Sequence, residues 1–155
     1  MTDLSDLLRP DAVLLGVSAL GKKPLVAQLA AALAKQTGGD ARVIADGLGE
    51  RERLGSTGFG GGVALPHAKI DGLAQVTAVF FRLAQPIDYG ALDGAPVDLV
   101  MALLSPANAG AEHLKALARV SRRLRDRAFL SKLRGAGSPD ALYALFTEDR
   151  ARDAA

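Results

Sequence analysis

The sequence has no cysteine and no tryptophan, and aromatic residues make up only 5% of its 155 residues. Without cysteine, disulfide bonds, thiolate catalysis and cysteine-ligated zinc or iron are excluded. The low aromatic content and the abundance of alanine and leucine favour aliphatic helices packed on an aliphatic sheet, which is an α/β fold. This length, with 49% hydrophobic and 23% charged residues, is typical of a single domain.

Long apolar runs and a strong excess of one charge are also missing. The N-terminal MTDLSDLLRP carries acidic residues where a secretory signal carries positive ones. No run approaches the roughly 18 apolar residues of a membrane helix. These features predict a cytoplasmic protein without membrane insertion. The net charge is only +2, which does not by itself indicate nucleic-acid binding.

The hydrophobic pattern predicts strands and helices within one domain, residues 1–155. Segments 75–83 and 97–104 are almost continuously apolar, which is typical of strands covered on both faces by helices. A shorter strand is predicted at 13–17. Spacing and capping residues predict helices at 22–35, at 40–50, at about 110–134 with a break near Asp126, and from Ser138 onward. The tail from about residue 148 is expected to fray.

The most unusual stretch is GLGERERLGSTGFGGGVALPHAKI, residues 47–70, in which seven glycines precede His67. Glycine permits positive φ and lets the backbone approach a ligand closely, so the N–H groups of this loop can face an anion. The spacing matches neither a Walker loop nor a dinucleotide fingerprint. A flexible turn before a strand is the alternative interpretation.

His67 follows Pro66 at the end of a short apolar strand predicted over 63–65. Histidine can be neutral near pH 7, attack phosphorus through a ring nitrogen and later release the group. A serine phosphate is not readily passed on. His67 is therefore a candidate phosphoryl acceptor, although a structural, hydrogen-bonding histidine explains the position equally well.

The second histidine, His113, stands in the first turn of the helix predicted from residue 110, where the helix dipole favours negative charge. Its spacing to Val120 puts it on the inner side of that helix, at the sheet edge where ligands bind in open α/β folds. A structural histidine is again the alternative. The two histidines form no helical metal motif, so no metal site is expected, and neither Ser56 nor Ser105 has the elbow of a triad hydrolase.

Two groups of arginines are candidates for anion contacts. Arg51 and Arg53 precede the glycine loop, and a guanidinium can hold phosphate through two parallel hydrogen bonds. Either is equally explained as a solvated helix end. The predicted helix over 110–134 carries a second group, which could form a basic patch: Arg119, Arg122, Arg123, Arg125 and Arg127. Apolar core positions of the same helix lie between these arginines, which favours a solvated face instead.

These features together resemble a known family. The segment ERERLGSTGFGGGVALPHAKI is similar to the active-site segment of the mannitol and fructose class of enzyme IIA proteins of the bacterial phosphotransferase system, most closely their nitrogen-regulatory branch. The similarity continues through PIDYGALDGAPVDLVMALLSP and AEHLKALARVSRRLRD to SPDALYALF, so it covers nearly the whole chain. Ala68 departs from the PHG that the family often has, which affects the flexibility of the loop.

The resemblance implies a single α/β domain with a mixed β-sheet flanked by helices on both faces. It implies a tele-phosphohistidine at Nε2 of His67, with Arg51 holding the phosphoryl oxygens and His113 donating a hydrogen bond to them. Ser56, Thr57 and Gly58 match the loop beside the site and are expected to form a phosphate-binding loop. No metal or cofactor is required, because such a transfer depends on positioning and electrostatics.

The partners implied by the resemblance are an HPr/NPr-like phosphocarrier as donor and regulatory target proteins, with no nucleic acid. The absence of a fused IIB or membrane IIC domain favours regulation according to phosphorylation state. One alternative is a stand-alone, sugar-specific enzyme IIA that passes phosphate to a IIB component. Another, from a different class, is a nucleic-acid-binding regulator that uses the arginine-rich helix.

Overall fold

The apolar runs of the sequence lie side by side at the centre of a β-sheet in the computed structural model, which describes residues 3–148. The tail expected to fray lies, apart from its first residue, outside the described residues. The elements formed within 3–148 are, in chain order, β1 (Leu8–Val17), α1 (Lys22–Thr37), α2 (Ala41–Arg53), β2 (Gly58–Gly60), β3 (Val63–Ala64), β4 (His67–Ile70), β5 (Thr77–Ile87), β6 (Val97–Pro106), α3 (Ala111–Leu124), α4 (Arg127–Gly135) and α5 (Pro139–Thr147).

The sheet is mixed, as expected. Its order is β1-β5-β6-β3-β2, and β4 also pairs with β6. Strand β5 runs parallel to β1 and antiparallel to β6, whereas β3 and β4 both run parallel to β6. Because β5 occupies one edge of β6, the short strands β3 and β4 follow one another along its other edge. The pairing along this edge of the largely buried strand β6 is thus interrupted between β3 and β4, just before His67.

Helices cover both faces of this sheet. On one face the ring of Phe80 in β5 packs edge-on against Phe146 of α5, with ring centroids 4.8 Å apart. On the other face α2 packs on β4, where Gly47 lies against Ile70. Successive residues of a strand point to opposite faces, so His67 faces away from Ile70, toward the side that α3 covers. The predicted arrangement of helices and sheet is confirmed.

Local capping chemistry sets the ends of the predicted helices. The Asp40 carboxylate accepts a hydrogen bond from the Arg42 amide, and α2 continues to Arg53, three residues beyond the predicted end. The break near Asp126 is confirmed, since its carboxylate caps α4 through the amides of Ala128 and Phe129. Ser138 likewise caps the last helix. The strands predicted at 13–17, 75–83 and 97–104 are longer in the structure, whereas the strand predicted at 63–65 is one residue shorter.

Two of the five arginines expected on a solvated face, Arg119 and Arg123, are instead engaged within the protein, which corrects the prediction for them. Arg123 is only 6% exposed, donates from Nη2 to the carbonyl of Leu145 at 2.6 Å and lies over the ring of Phe129. Arg119 holds the carboxylate of Asp6 with two hydrogen bonds of 2.8 Å. These guanidinium groups tie α3 to neighbouring segments, because the stems of arginines pack while their heads find internal acceptors. Arg122, Arg125 and Arg127 are exposed, as predicted.

Candidate active site

The backbone around His67 is fixed from two sides. The amide of Leu65 donates to the carbonyl of Thr57, and the carbonyl of Pro66 accepts from the amide of Leu103, both at 3.0 Å. His67 then opens β4 opposite Leu103, whereas the pattern predicted it at the end of a single strand. Strand pairing on both sides of the interruption leaves the imidazole little freedom of position.

The ring of His67 is held in one tautomer. Its Nδ1 lies 2.8 Å from the carbonyl oxygen of Leu65, which can only accept a hydrogen bond, so Nδ1 carries the proton of the neutral ring. The lone pair is therefore on Nε2, where it accepts a hydrogen bond from Nε of Arg51 at 3.3 Å. A neutral imidazole anchored in this way presents Nε2 as its nucleophilic atom.

The surroundings of His67 keep the ring neutral. Burial is the main cause that lowers the pKa of His67 below its ordinary 6.5, and the positive charge of Arg51 lowers it further. The hydrogen bond to the Leu65 carbonyl and the negative charge of Glu52 act in the opposite direction but do not outweigh these effects. Near neutral pH Nε2 therefore carries no proton.

Arg51 reaches His67 because α2 packs closely on β4. A Cβ atom at Gly47 would lie 2.9 Å from Cδ1 of Ile70, so only glycine permits this approach without displacing a neighbour. Arg51 follows Gly47 by one helical turn and therefore lies on the same face of α2. Its Nη1 donates to the carbonyl of Gly55 at 3.0 Å, which fixes the guanidinium beside the loop. Arg53, two positions on, is exposed.

His113 lies on the inner side of α3, as its spacing predicted. It is 7% exposed, and its ring centroid is 5.7 Å from that of His67. Its Nδ1 is 2.7 Å from Oγ of Ser105, a residue of β6. Burial lowers the pKa of His113, and the charges of His67 and Lys69 lower it further, so this ring is also neutral near pH 7.

A buried carboxylate, Glu52, organises the loop that follows α2. Its side chain is 6% exposed and pairs with Nζ of Lys22 at 2.7 Å. It also accepts hydrogen bonds from the amide and hydroxyl of Thr57 and from the hydroxyl of Tyr89. Burial by itself would raise the pKa of Glu52, but the hydrogen bonds from Lys22, Thr57 and Tyr89 outweigh burial and lower it. Glu52 is therefore ionised, and burial raises the pKa of Tyr89, which keeps its proton.

The predicted loop residues differ in what they face. Thr57 is buried, and both its amide and its hydroxyl are engaged with Glu52. The amide of Gly58 donates to Oγ of Ser56 at 3.1 Å. A Cβ atom at Gly58 would lie 2.9 Å from Cβ of Ala91, so glycine is needed there for the close approach of two loops. The hydroxyl proton of Ser56 has no acceptor within residues 3–148 and is free to bind a ligand.

Sequence reasoning missed three residues that touch or support this site: Glu52, Tyr89 and Ser105. Glu52 alternates with arginines in ERER and therefore looks like part of a surface charge pattern. Tyr89 and Ser105 lie in segment 86–106, which shares the family resemblance but has no local pattern that marks either side chain. The sequence does contain one signal for Glu52. Arg51 and Arg53 cannot share a face of a helix, and Glu52 between them points to yet another face, where it can contact a different segment.

Two kinds of feature are not found among the described residues. Over residues 3–148 no group of three or more histidine or acidic side chains is placed to hold a metal ion. No helix in the same part of the chain has the length and apolar character needed to cross a membrane. The site consists of two neutral histidines, one guanidinium and a loop.

Comparison with known sequences identifies the class of protein to which this fold and this pair of histidines belong. Residues 6–149 match the family described as the phosphoenolpyruvate-dependent sugar phosphotransferase system, EIIA 2, and the chain belongs to that family. Within it, the chain is of the nitrogen-regulatory type. A nitrogen regulatory protein of Bradyrhizobium diazoefficiens is 44% identical over 92% of this chain and 93% of its own length. That of Escherichia coli K12 is 36% identical over 94% and 90%.

Solved structures show the same fold. The crystal structure of nitrogen regulatory protein IIA-Ntr from Neisseria meningitidis superposes with a TM-score of 0.88 at 31% identity, covering 93% of this chain and 99% of that chain. The mannitol IIA of Escherichia coli superposes with a TM-score of 0.75 at 19% identity, covering 90% and 98%, which shows likeness of fold alone. A fructose-specific EIIA component of Haloferax volcanii is 38% identical, but over only 66% of this chain and 67% of its own length.

Proposed function

We propose that Nε2 of His67 accepts a phosphoryl group from the phosphohistidine of a carrier protein. The observation that carries this proposal is the hydrogen bond between Nδ1 of His67 and the Leu65 carbonyl, which leaves the Nε2 lone pair for attack. The N–P bond of the carrier breaks as the Nε2–P bond forms. The carrier imidazole leaves as a neutral base. The proton on Nδ1 of His67 stays there, donated to the Leu65 carbonyl, so no proton is exchanged with an external group.

Arg51, His113 and Ser56 stabilise the transferred group. Arg51 already contacts Nε2, and its planar guanidinium forms charge-assisted hydrogen bonds with phosphoryl oxygens once these arrive. His113 donates a hydrogen bond from the opposite side, and Ser56 offers its free hydroxyl. Thr57 and Gly58 shape the loop rather than contact the anion through their amides, because those amides donate within the protein. The transfer uses no metal or cofactor.

The donor in this proposal is an HPr/NPr-like carrier that docks around His67. Three large apolar side chains are exposed on segments of the site: Leu54 ends α2 after Arg51, Leu114 follows His113, and Leu92 donates its amide to the carbonyl of Gly58. Transfer between two proteins requires their surfaces to meet at the phosphorus atom. These leucines therefore supply the apolar contacts of that encounter.

The phosphorylation state of His67 is the output of the protein. Phosphorylation replaces a neutral ring by a group of charge near −1.5 to −2, which changes which partners the surrounding surface attracts. The relatives named nitrogen regulatory proteins favour a regulatory output of this kind in the cytoplasm, with target proteins as partners. Passage of the group to a sugar-specific IIB component is the competing output.

The central experiment is incubation of the protein with phosphorylated carriers, followed by intact-mass measurement. One acid-labile phosphoryl group is expected on the wild type and none on His67→Ala, with circular dichroism unchanged because His67 is half-buried and outside the apolar core. Labelling of His67→Ala to the wild-type level contradicts the proposal. Rapid loss of the group to an added IIB component identifies sugar-specific relay as the output.

The docking surface has a matched control. Leu54→Lys and Leu114→Lys are expected to raise the carrier concentration needed for half-maximal rate. Leu20→Lys changes a fully exposed leucine that follows β1, a strand that β5 and β6 separate from β4, and is expected to leave that concentration unchanged. Equal behaviour of the three variants removes the leucines from the carrier interface.

A further inference from the structure

Ser105 is a fully buried hydroxyl directly behind the second histidine. It has 0% exposure, and its Oγ lies 2.7 Å from Nδ1 of His113. We propose that Ser105 is a positioning residue that fixes His113 in the tautomer with its proton on Nε2, so that His113 serves as a hydrogen-bond donor to the phosphoryl group on His67. This inference rests on the proposed function of His67.

Strand register places Ser105 on the side of the sheet where transfer occurs. His67 pairs with Leu103, and Ser105 follows Leu103 by two residues in β6. Residues two apart in a strand share a face, so Ser105 lies on the same face as the imidazole of His67. α3 covers this face, and His113 in the first turn of α3 lies beside both Ser105 and His67. The hydroxyl therefore acts on the ring that approaches His67 to 5.7 Å between centroids.

The hydrogen bond of the Ser105 hydroxyl determines the tautomer of His113. Within residues 3–148, the hydroxyl of Ser105 has Nδ1 of His113 as its one hydrogen-bond partner. If Nδ1 carried the proton and donated it to Oγ, the hydroxyl proton would be buried without an acceptor, which costs free energy. If the hydroxyl donates to Nδ1, the buried hydroxyl proton of Ser105 has its acceptor. Nδ1 is then the acceptor, and the proton of the neutral ring is on Nε2.

The consequence falls on the other ring nitrogen. Nε2 of His113 makes no hydrogen bond within residues 3–148 and is not sealed from solvent, so it is available to a ligand. With a proton it donates to a phosphoryl oxygen. Without one it presents a lone pair, which repels the same oxygen. Ser105 therefore decides whether His113 assists or opposes transfer, although it touches neither the phosphoryl group nor His67.

Two substitutions of equal shape separate this role from simple packing. Ser105→Thr keeps the hydroxyl, whereas Ser105→Val replaces it by a methyl group and adds the same bulk. The first readout is single-turnover transfer from phosphorylated carrier to His67. The rate of Ser105→Val is expected to fall about tenfold to 10²-fold, up to the loss caused by removing a donor from a transition state. The carrier concentration for half-maximal rate should not change, and Ser105→Thr should retain most of the wild-type rate.

The second readout is the tautomer itself, from ring-nitrogen NMR of His113 in the unphosphorylated protein at pH 7.5. The wild type and Ser105→Thr are expected to show the proton on Nε2, and Ser105→Val a mixture of both tautomers. Equal transfer rates for the two variants, or an Nδ1 proton on His113 in the wild type, overturn the role of Ser105. Failure of the wild type to take up phosphoryl on His67 overturns the proposed function, and the role in transfer with it.

Discussion

Nε of Arg51 donates a hydrogen bond to Nε2 of His67, the atom proposed to attack phosphorus. The guanidinium thus occupies the nucleophile's lone pair in the free protein and opposes its protonation. As phosphorus approaches, the same guanidinium has to turn from the nitrogen to the phosphoryl oxygens, which keeps its charge beside the reaction. In the proposed transfer, Arg51 thus protects the nucleophile beforehand and binds the phosphoryl group afterwards.

Arg51→Lys is expected to slow transfer on the order of 10-fold to 10²-fold with little loss of stability. Lysine keeps the positive charge but loses the planar, two-point hydrogen bonding of the guanidinium. Single-turnover transfer measures the effect. Arg53→Lys is the matched control, because Arg53 lies two positions further on α2 and is exposed. Wild-type rates for both variants would leave Ser56 and His113 as the phosphoryl ligands.

His113→Ala is expected to accept a phosphoryl group on His67 slowly, with a rate reduced about 10²-fold or more, because a hydrogen-bond donor is lost from the transition state. Intact mass at long incubation should still show full occupancy of His67. Measuring transfer in both directions is informative, since a transition-state ligand affects both. Wild-type rates in both directions would assign His113 a structural role only.

The sequence predicts those parts of the fold that depend on local chemistry. Asp126 and Ser138 set helix starts through their own side chains, and apolar runs identify the two central strands. The pairing of β4 with β6 depends on distant segments, so the start of a new strand at His67 was not predicted. The burial of Arg123 has the same origin, because the Leu145 carbonyl that binds it is contributed by another helix.

The site divides in the same way. The sequence identifies three residues of types that attack or bind phosphoryl groups: His67, His113 and Arg51. Each was recognised from the local pattern around it. Glu52 acts through a contact with Tyr89, 37 residues further along the chain, and Ser105 through a contact between β6 and the helix that follows it. No periodicity reveals such pairs. Supporting residues of this kind become visible only when the strands are placed side by side.

Tyr89→Phe tests the buried network that holds the loop. The hydroxyl of Tyr89 donates to the ionised Glu52 at 2.9 Å, and a hydrogen bond to a charged group contributes roughly 1.5–3 kcal/mol. The free energy of unfolding should fall by about that amount in a denaturant titration, and transfer to His67 should slow as the loop loosens. Tyr143→Phe is the control, because the hydroxyl of Tyr143 makes no hydrogen bond within residues 3–148. Equal stability of the two variants would contradict a supporting role for the network.

The last prediction concerns pH. The folded-state pKa of His67 is lowered by burial and by Arg51, whereas in the unfolded chain it returns to about 6.5. Between these two values the unfolded state binds more protons, so the free energy of unfolding decreases as pH falls from about 6.5 and levels off below the folded-state pKa. The wild type should therefore lose more stability between pH 7.5 and pH 5.5 than His67→Gln, as measured by denaturant titration.

The rate of phosphoryl uptake should likewise remain high below pH 6.5 and decline only as the folded-state ring becomes protonated. Arg51→Gln removes a charge that lowers the pKa of His67, so its decline should begin at a higher pH, whereas Arg53→Gln should follow the wild type. A wild-type decline centred at or above pH 6.5 would show that the ring is not kept neutral by its surroundings.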